Sequence, residues 1–147
     1  VTAVIFLFIL IYLLTFNVAY AQSFYTFEAG NHSTAQIGYG QKQGKVYYHL
    51  FTGNLDEIQS ISYLFGEVGY WKYFTESLYG RISFGIGYVN DTNEYLSSHD
   101  MFTESISLGY GPFFISYRHM SNGGHELGNP EPNKGRDIYT LGLIHKF

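Results

Sequence analysis

From Gln22 onward, hydrophobic and polar residues alternate along the chain in short stretches. Clusters of Asn, Asp, Gly, Ser and Pro separate these stretches, and none repeats its apolar positions with the period of a helix. Alternation with a period of two is typical of β-strands that carry one apolar face. The pattern predicts eight strands, at 23–31, 33–42, 45–53, 57–74, 78–90, 101–111, 112–121 and 137–147.

The two faces of a predicted strand differ in size as well as in polarity. In 78–90 the bulky side chains oppose the small or polar ones, as Leu78, Ile82, Phe84, Ile86 and Tyr88 against Arg81, Ser83, Gly85 and Gly87. The strand at 101–111 repeats this division, whereas 45–53 is less clear because Tyr47 and Phe51 lie on its polar side. In 57–74 the bulky residues change face near Gly66, which predicts a β-bulge there.

This distribution of bulk separates two fold classes. A soluble β-sandwich buries its bulky faces in a core, whereas a small transmembrane barrel presents them to lipid and keeps small and polar groups inside. Most of the predicted strands are long enough to cross a bilayer when tilted, and a closed barrel satisfies every backbone hydrogen-bonding group there. The sequence therefore predicts an all-β fold, an eight-stranded antiparallel transmembrane β-barrel of the bacterial outer membrane.

The composition agrees with a barrel in a membrane. Aromatic residues make up 20% of the chain and charged residues 14%, and the 15 tyrosines suit the aromatic girdles at the membrane interfaces. The sequence contains no run of Lys or Arg residues that would indicate a nucleic acid partner. The chain has no cysteine, which excludes disulfides and thiolate metal sites.

The first 21 residues differ in character from the rest. An apolar run from Val4 to Leu14 precedes Ala19-Tyr20-Ala21, a small-residue pattern typical of a signal peptide cleavage site. Residues 1–21 are therefore predicted to be a cleaved signal peptide, and 22–147 a single barrel domain. No Lys or Arg precedes the apolar run, so an incomplete start or an uncleaved anchor is the alternative.

Candidate chemistry lies in the stretch SYRHMSNGGHE, residues 116–126. His119 and Ser121 continue the bulky face of their strand, and Asp137 lies on the matching face of the last strand. His119 comes seven residues after Pro112. An eight-stranded barrel with both termini on the periplasmic side has the turn near 111 at the periplasm, so this spacing puts His119 roughly 23 Å along its strand, near the outer leaflet. Polar groups facing lipid are costly, so their presence indicates a role.

These residue types at this spacing point to nucleophilic catalysis. An imidazole activates a serine hydroxyl by taking its proton, and an acid orients the imidazole. Backbone N–H groups of Asn122, Gly123 and Gly124 would hold the oxyanion of an ester tetrahedral intermediate. Alone, a His-x-Ser-Asn sequence is a weak signal, and its predicted position on a lipid-facing wall strengthens it.

Residues 117–124, YRHMSNGG, and residues 132–135, PNKG, resemble the PagL-type lipid A deacylases of the outer membrane, as does the terminal strand ending at Phe147. The resemblance implies an eight-stranded barrel that hydrolyses the ester-linked acyl chain at position 3 of lipid A in lipopolysaccharide, without a metal or other cofactor. It assigns the nucleophile to Ser121, the base to His119, and the oxyanion hole to the backbone of 122–124. Asn133 and Gly135 would belong to a supporting loop.

Two carboxylates compete for the role of the acid. The family uses a glutamate shortly after its Asn-x-Gly motif, and the matching position here is Asp137, which has a shorter side chain. Independently of the resemblance, a two-residue turn at Gly111-Pro112 would place Glu104 opposite His119 on the same face. Asp137 is favoured on the resemblance, and Glu104 is the alternative.

Other functions are compatible with the same barrel. A small structural or adhesive barrel of the OmpA/OmpX type has no chemistry, and in it His119 would be an interfacial histidine at the barrel rim. An outer-membrane phospholipase would share the mechanism and differ in substrate. Members of the resembling family pair in the membrane, so a homodimer is a further expectation, although no residue pattern marks its interface.

Overall fold

A computed structural model describes residues 21–32, 34–55, 61–92, 95–96, 99–122 and 135–147. The strands are β1 (Gln22–Gly30), β2 (Ala35–Gln43), β3 (Val46–Leu55), β4 (Ile61–Tyr73), β5 (Leu78–Val89), β6 (Asp100–Tyr110), β7 (Phe113–Ser121) and β8 (Arg136–Lys146). Each strand pairs antiparallel with its neighbours in the chain, and β1 pairs with β8 to close the barrel. The predicted eight-stranded antiparallel barrel is therefore confirmed. No helix in these ranges is long and apolar enough to cross a bilayer.

In the described ranges, the predicted strand positions agree with the structure to within a few residues. The described part of β4 begins at Ile61, and residues 57–60 of the predicted strand lie outside the described ranges. The predicted bulge near Gly66 is wrong, because β4 pairs residue for residue with both neighbours. The apparent change of face arises because Tyr63, Phe65 and Trp71 point into the barrel.

The two ends of the barrel differ in the length of their connections. At one end, here called the short-turn end, residues 44–45, 74–77 and 111–112 join the strands, and β1 begins and β8 ends there. The connections after β1, β3, β5 and β7 form the opposite, loop end. The predicted turn at Gly111-Pro112 is confirmed by the pairing of Tyr110 with Phe113. Residues 1–20, with nearly all of the predicted signal peptide, lie outside the described ranges.

The outer surface of the barrel is apolar over most of the strand length. Its exposed side chains include Phe27, Ile37, Leu50, Leu64, Ile82, Phe84, Ile106, Leu108, Phe113, Ile115, Leu141 and Leu143. The outward direction of the bulky faces predicted for 78–90 and 101–111 is thereby confirmed. A continuous apolar belt of this kind is unfavourable in water and favourable in hydrocarbon.

The interior corrects the expectation of a lumen filled by small and polar groups alone. A turn-end cluster of buried residues comprises Phe24, Tyr47, Trp71, Tyr79, Phe114 and Ile144. A loop-end cluster comprises Phe51, Leu55, Ile61, Tyr63, Phe65, Val89, Leu96, Met101, Met120 and Ile138. Large side chains thus close the narrow lumen near both ends, because paired glycines on neighbouring strands, such as Gly40 beside Phe24 and Gly87 beside Phe65, leave room for them.

A layer of buried polar residues lies between these clusters. His49 Nδ1 is 3.0 Å from Glu67 Oε1. Arg118 Nη1 donates to Gln36 Oε1 at 2.9 Å, and Arg118 Nη2 is 3.6 Å from Glu67 Oε2. Buried charges are tolerated when they are paired and hydrogen-bonded in this way. Arg118 is the chain neighbour of His119, so the layer anchors the strand that carries the candidate chemistry.

Candidate active site

His119 and Asp137 meet on the outer wall of the barrel near the loop end. They are direct partners across β7 and β8, and such partners have Cβ atoms about 4.5–5.5 Å apart. The distance from His119 Nδ1 to Asp137 Oδ1 is 2.8 Å, and the two side chains are 34% and 55% exposed. The predicted outward direction of both residues is confirmed.

Asp137, rather than Glu104, contacts the histidine. Glu104 is the partner of His119 across β6 and β7, as the Gly111-Pro112 turn predicted, and it is exposed on the same wall. No hydrogen bond or ion pair joins Glu104 to His119 within the described ranges. The imidazole is therefore flanked by a carboxylate on each neighbouring strand and is hydrogen-bonded to one of them.

Tyr117 is a site residue that the sequence reasoning missed. Its hydroxyl donates to Asp137 Oδ1 at 2.9 Å, so this oxygen accepts hydrogen bonds from both Tyr117 and His119. The Tyr117 ring also lies 5.2 Å from the ring of Tyr139, measured between centroids. Strand parity offered the signal for this contact, since Tyr117 is the residue before His119 on the same face.

Asn31 is a second missed residue, and it holds the backbone of Asp137. Its Nδ2 donates to the Asp137 carbonyl oxygen at 3.1 Å, and its Oδ1 accepts the Tyr139 N–H at 2.8 Å. The amide thereby bridges two successive outward-facing residues at the start of β8. No signal in the sequence identifies this contact, because it depends on closure of the barrel between β1 and β8.

Ser121 lies on the same face as His119 but is not hydrogen-bonded to it in the described structure. Same-face neighbours in a strand are separated by roughly 6.6 Å along the backbone. No hydrogen bond joins Ser121 to His119 among the residues that the structure describes. A contact between hydroxyl and imidazole therefore requires a change of rotamer or of local twist at the end of β7. Across the strand pair, Ser121 faces Phe102, which stacks on Phe84 with ring centroids 5.9 Å apart.

Gly135 lies against the imidazole edge that faces away from Asp137. Its φ of 73° is in the left-handed region that favours glycine. A Cβ at this position would lie 2.6 Å from His119 Cε1 and 3.0 Å from His119 Nε2. The Gly135 N–H donates to the Tyr95 carbonyl oxygen at 3.1 Å, which ties this residue to the β5–β6 connection. The predicted supporting-loop residue thus borders the nitrogen that would act as the base.

The remaining predicted residues are only partly described. Asn122 directly follows β7, and its side chain is buried. Gly123, Gly124 and Asn133 lie outside the described residues, so the predicted oxyanion hole stays a prediction. In the described part of the chain, no group of three potential metal ligands is present.

No protein-family model matches the chain, and no curated protein sequence matches it. Solved structures share its fold. A de novo designed transmembrane β-barrel has a TM-score of 0.58 at 12% identity, over 87% of this chain and 96% of the designed chain. The Yersinia pestis outer membrane protein Ail, in a phospholipid bilayer nanodisc, has a TM-score of 0.52 at 10% identity, over 86% of this chain and 99% of Ail. The TM-scores show that the chain has the fold of small transmembrane barrels, and similarities at such low identity show nothing about its chemistry.

Proposed function

We propose that the chain is a serine esterase of the bacterial outer membrane that removes the ester-linked acyl chain at position 3 of lipid A. The observation that carries this proposal is the 2.8 Å contact between His119 Nδ1 and Asp137 Oδ1 on the apolar outer wall. Ser121 follows on the same face, and the resemblance of residues 117–124 to PagL-type deacylases supports the assignment. The substrate partner is lipopolysaccharide, in the outer leaflet.

The mechanism begins with the acid and the base. With Asp137 accepting a hydrogen bond from the Nδ1–H group, the neutral imidazole of His119 keeps a lone pair on Nε2. Nε2 takes the proton of Ser121 Oγ as this oxygen attacks the acyl carbonyl carbon. The carbonyl oxygen becomes an oxyanion, and backbone N–H groups of 122–124 stabilise it.

Collapse of the tetrahedral intermediate completes acyl transfer. The bond between the acyl carbon and the sugar oxygen breaks, and the departing oxygen takes the proton from the imidazolium of His119. The acyl group remains on Ser121 as an ester. A water molecule, deprotonated by His119 Nε2, then attacks this ester and releases the fatty acid and the free serine.

The outer wall suits a lipid substrate. An acyl ester of lipid A lies at the boundary between headgroups and hydrocarbon, and His119 lies close to the loop end of its strand. The substrate would approach laterally, so its ester need not leave the membrane. The stacked rings of Phe84 and Phe102 next to Ser121 provide apolar contacts for an acyl chain.

A non-enzymatic structural or adhesive barrel is the second candidate function. One observation favours it, namely the lack of a Ser121–His119 hydrogen bond in the described ranges. In this case His119 and Asp137 would be an interfacial polar pair. A phospholipase is a third candidate, with the same residues acting on a glycerophospholipid ester.

Mass spectra of lipid A separate these candidates. The full chain is expressed in a Gram-negative outer membrane that lacks a deacylase, and lipid A and phospholipids are extracted together. We expect loss of one hydroxyacyl chain from lipid A, abolished by Ser121→Ala and by His119→Ala. The matched variants Ser23→Ala and His145→Ala, on the same outer wall near the short-turn end, should retain the activity.

The other outcomes decide against lipid A deacylation. Unchanged lipid A together with lysophospholipids that depend on Ser121 would identify a phospholipase. Unchanged lipid A and phospholipids would indicate a barrel with no enzymatic activity, provided that heat-modifiable electrophoretic mobility shows the protein to be folded.

A further inference from the structure

The lumen mouth at the short-turn end brings two lysines onto one aromatic surface. Lys42 on β2 and Lys146 on β8 continue the inward-facing positions of their strands, and both are half-buried. Lys42 Nζ lies 5.8 Å from the ring centroids of both Trp71 and Tyr73. Lys146 Nζ lies 5.3 Å and 4.9 Å from the same two centroids and donates a hydrogen bond to the Tyr73 hydroxyl. These four residues are called the mouth site below.

A third cation lies deeper on the same indole. Arg81 Cζ is 5.2 Å from the Trp71 centroid and 4.3 Å from the Phe114 centroid, and the side chain is buried. The one hydrogen bond described for its guanidinium is a long one, from Nη2 to Ser107 Oγ at 3.5 Å. Three positive groups therefore surround one tryptophan.

Carboxylates do not balance this charge. Within the described ranges, neither Lys42, Lys146 nor Arg81 forms an ion pair, whereas Arg118 in the polar layer lies near Glu67. Glu76 in the turn after β4 is an acidic residue at the same end, and it is exposed and outside ion-pair distance of both lysines. Like charges held together without a counter-charge repel each other, and an anion relieves this repulsion.

Buried polar atoms at the same end of the lumen also lack hydrogen-bond partners in the described structure. Trp71 Nε1, Tyr79 OH and Arg81 Nε are buried without a hydrogen-bond partner in the described structure. Trp71 is 1% exposed and Tyr79 0% exposed. Trp71 Nε1 and Arg81 Nε are donors only, and an unpaired buried donor costs free energy. A group rich in acceptor oxygens would supply the acceptors that this end of the lumen lacks.

We propose that the mouth site binds a phosphate group, carried either by a phospholipid headgroup or by a small soluble phosphate. Phosphate oxygens accept charge-assisted hydrogen bonds from ammonium and guanidinium groups, and a tyrosine hydroxyl beside them adds a further donor. The exposed tyrosines near this mouth, including Tyr25, Tyr70 and Tyr73, are typical of the headgroup level of a membrane. The mouth site is therefore within reach of lipid headgroups and of solvent, and the proposal does not depend on the esterase.

Trp71 allows a direct test, because it is the single tryptophan of the chain. The full chain is folded into maltoside micelles, which carry no phosphate, and Trp71 fluorescence is followed during three titrations. The probes are inorganic phosphate, a short-chain phosphatidylglycerol, and a diacylglycerol of the same chain length. We expect a saturable change with phosphatidylglycerol, with inorganic phosphate or with both, and none with diacylglycerol or with potassium chloride at equal ionic strength.

Paired variants assign the response to the mouth site. Lys42→Gln with Lys146→Gln should weaken the apparent affinity at least tenfold, whereas Lys42→Arg with Lys146→Arg should keep it. Lys45→Gln with Lys72→Gln removes the same charge from the same end, where the ammonium groups contact Tyr70 and Phe74, and should change the affinity less than twofold.

The outcomes are separable. A response to phosphatidylglycerol alone assigns the mouth site to a lipid headgroup, and a response to inorganic phosphate as well assigns it to the phosphate group itself. The proposal is overturned if neither probe gives a saturable response with folded protein. It is also overturned if the Lys45 and Lys72 variant loses as much affinity as the Lys42 and Lys146 variant.

Discussion

Two histidine–carboxylate pairs occupy opposite faces of the barrel wall, and their surroundings differ. Inside, His49 Nδ1 is 3.0 Å from Glu67 Oε1, and His49 Nε2 is 2.8 Å from Thr26 Oγ1, so hydroxyl, imidazole and carboxylate form an unbroken chain. Outside, His119 is 2.8 Å from Asp137, and no such hydroxyl contact completes the chain among the described residues. By hydrogen bonding alone, the inner group is the more complete triad.

The outer pair is nevertheless the more accessible of the two to a substrate. His49 and Glu67 are buried, and a Cβ at Gly38 would overlap His49 Nε2, so no substrate ester can reach the inner hydroxyl. The outer pair is exposed on a wall where polar groups are costly unless they have a role. A catalytic arrangement needs a reachable nitrogen, whereas a buried chain of the same groups satisfies the hydrogen-bonding needs of the lumen.

Replacing each histidine in turn should separate the roles of the two pairs most clearly. We expect His119→Ala to lower deacylase kcat by about six orders of magnitude, since it removes the base, with little change in unfolding free energy. His49→Ala should do the reverse, destabilising the barrel by about 3 kcal/mol because it leaves Glu67 with one partner fewer. Deacylation kinetics and urea unfolding in vesicles measure the two effects. Loss of activity in a folded His49→Ala protein would contradict the division between structural and catalytic pairs.

Replacing the acid should have the next largest effect on kcat. Asp137→Ala should lower kcat by about three to four orders of magnitude, because the imidazole loses the group that orients it. Glu104→Ala, on the other side of His119, should retain activity to within about tenfold. Single-turnover rates with purified lipid A give both values. The reverse ranking would transfer the role of the acid to Glu104.

Crowding the base should have an intermediate effect. In Gly135→Ala the new methyl group would displace the His119 ring, and a misplacement of about 1 Å costs on the order of 10²-fold in rate. Gly44→Ala is the matched control, because Gly44 also has a positive φ, of 61°, and has no neighbouring atom within 4 Å of its ideal Cβ. Equal losses of kcat in both variants would attribute the effect to backbone strain rather than to the imidazole.

The smallest effect concerns the positioning of the acid. Tyr117→Phe removes one of the two hydrogen bonds to Asp137 Oδ1, worth about 0.5–1.5 kcal/mol, so kcat should fall about 2- to 13-fold with KM unchanged. Tyr139→Phe, a neighbouring tyrosine on the same wall, serves as the control. A rise in KM with constant kcat would indicate that Tyr117 contacts the lipid instead of holding the acid.

Much of the site could be predicted because strand parity is a local property. Alternation along 113–121 was enough to predict that His119 and Ser121 share the outer face, and a two-residue turn was enough to align Glu104 with His119. The rest required contacts between distant segments. Asn31 lies 106 residues from Asp137 in the chain, and His49 lies 18 residues from Glu67, so no local pattern identifies either pair.

Local alternation along the chain predicts the number of strands, the residues that share a face in most of them, and the outward direction of the candidate site, because backbone geometry alternates side chains without reference to the rest of the fold. Contacts between distant segments set which bulky residues enter the lumen, which carboxylate meets His119, and that the lysines of β2 and β8 share one mouth. These outcomes depend on barrel closure and on the register between strands that long connections join, and both are set by the sum of many non-local contacts.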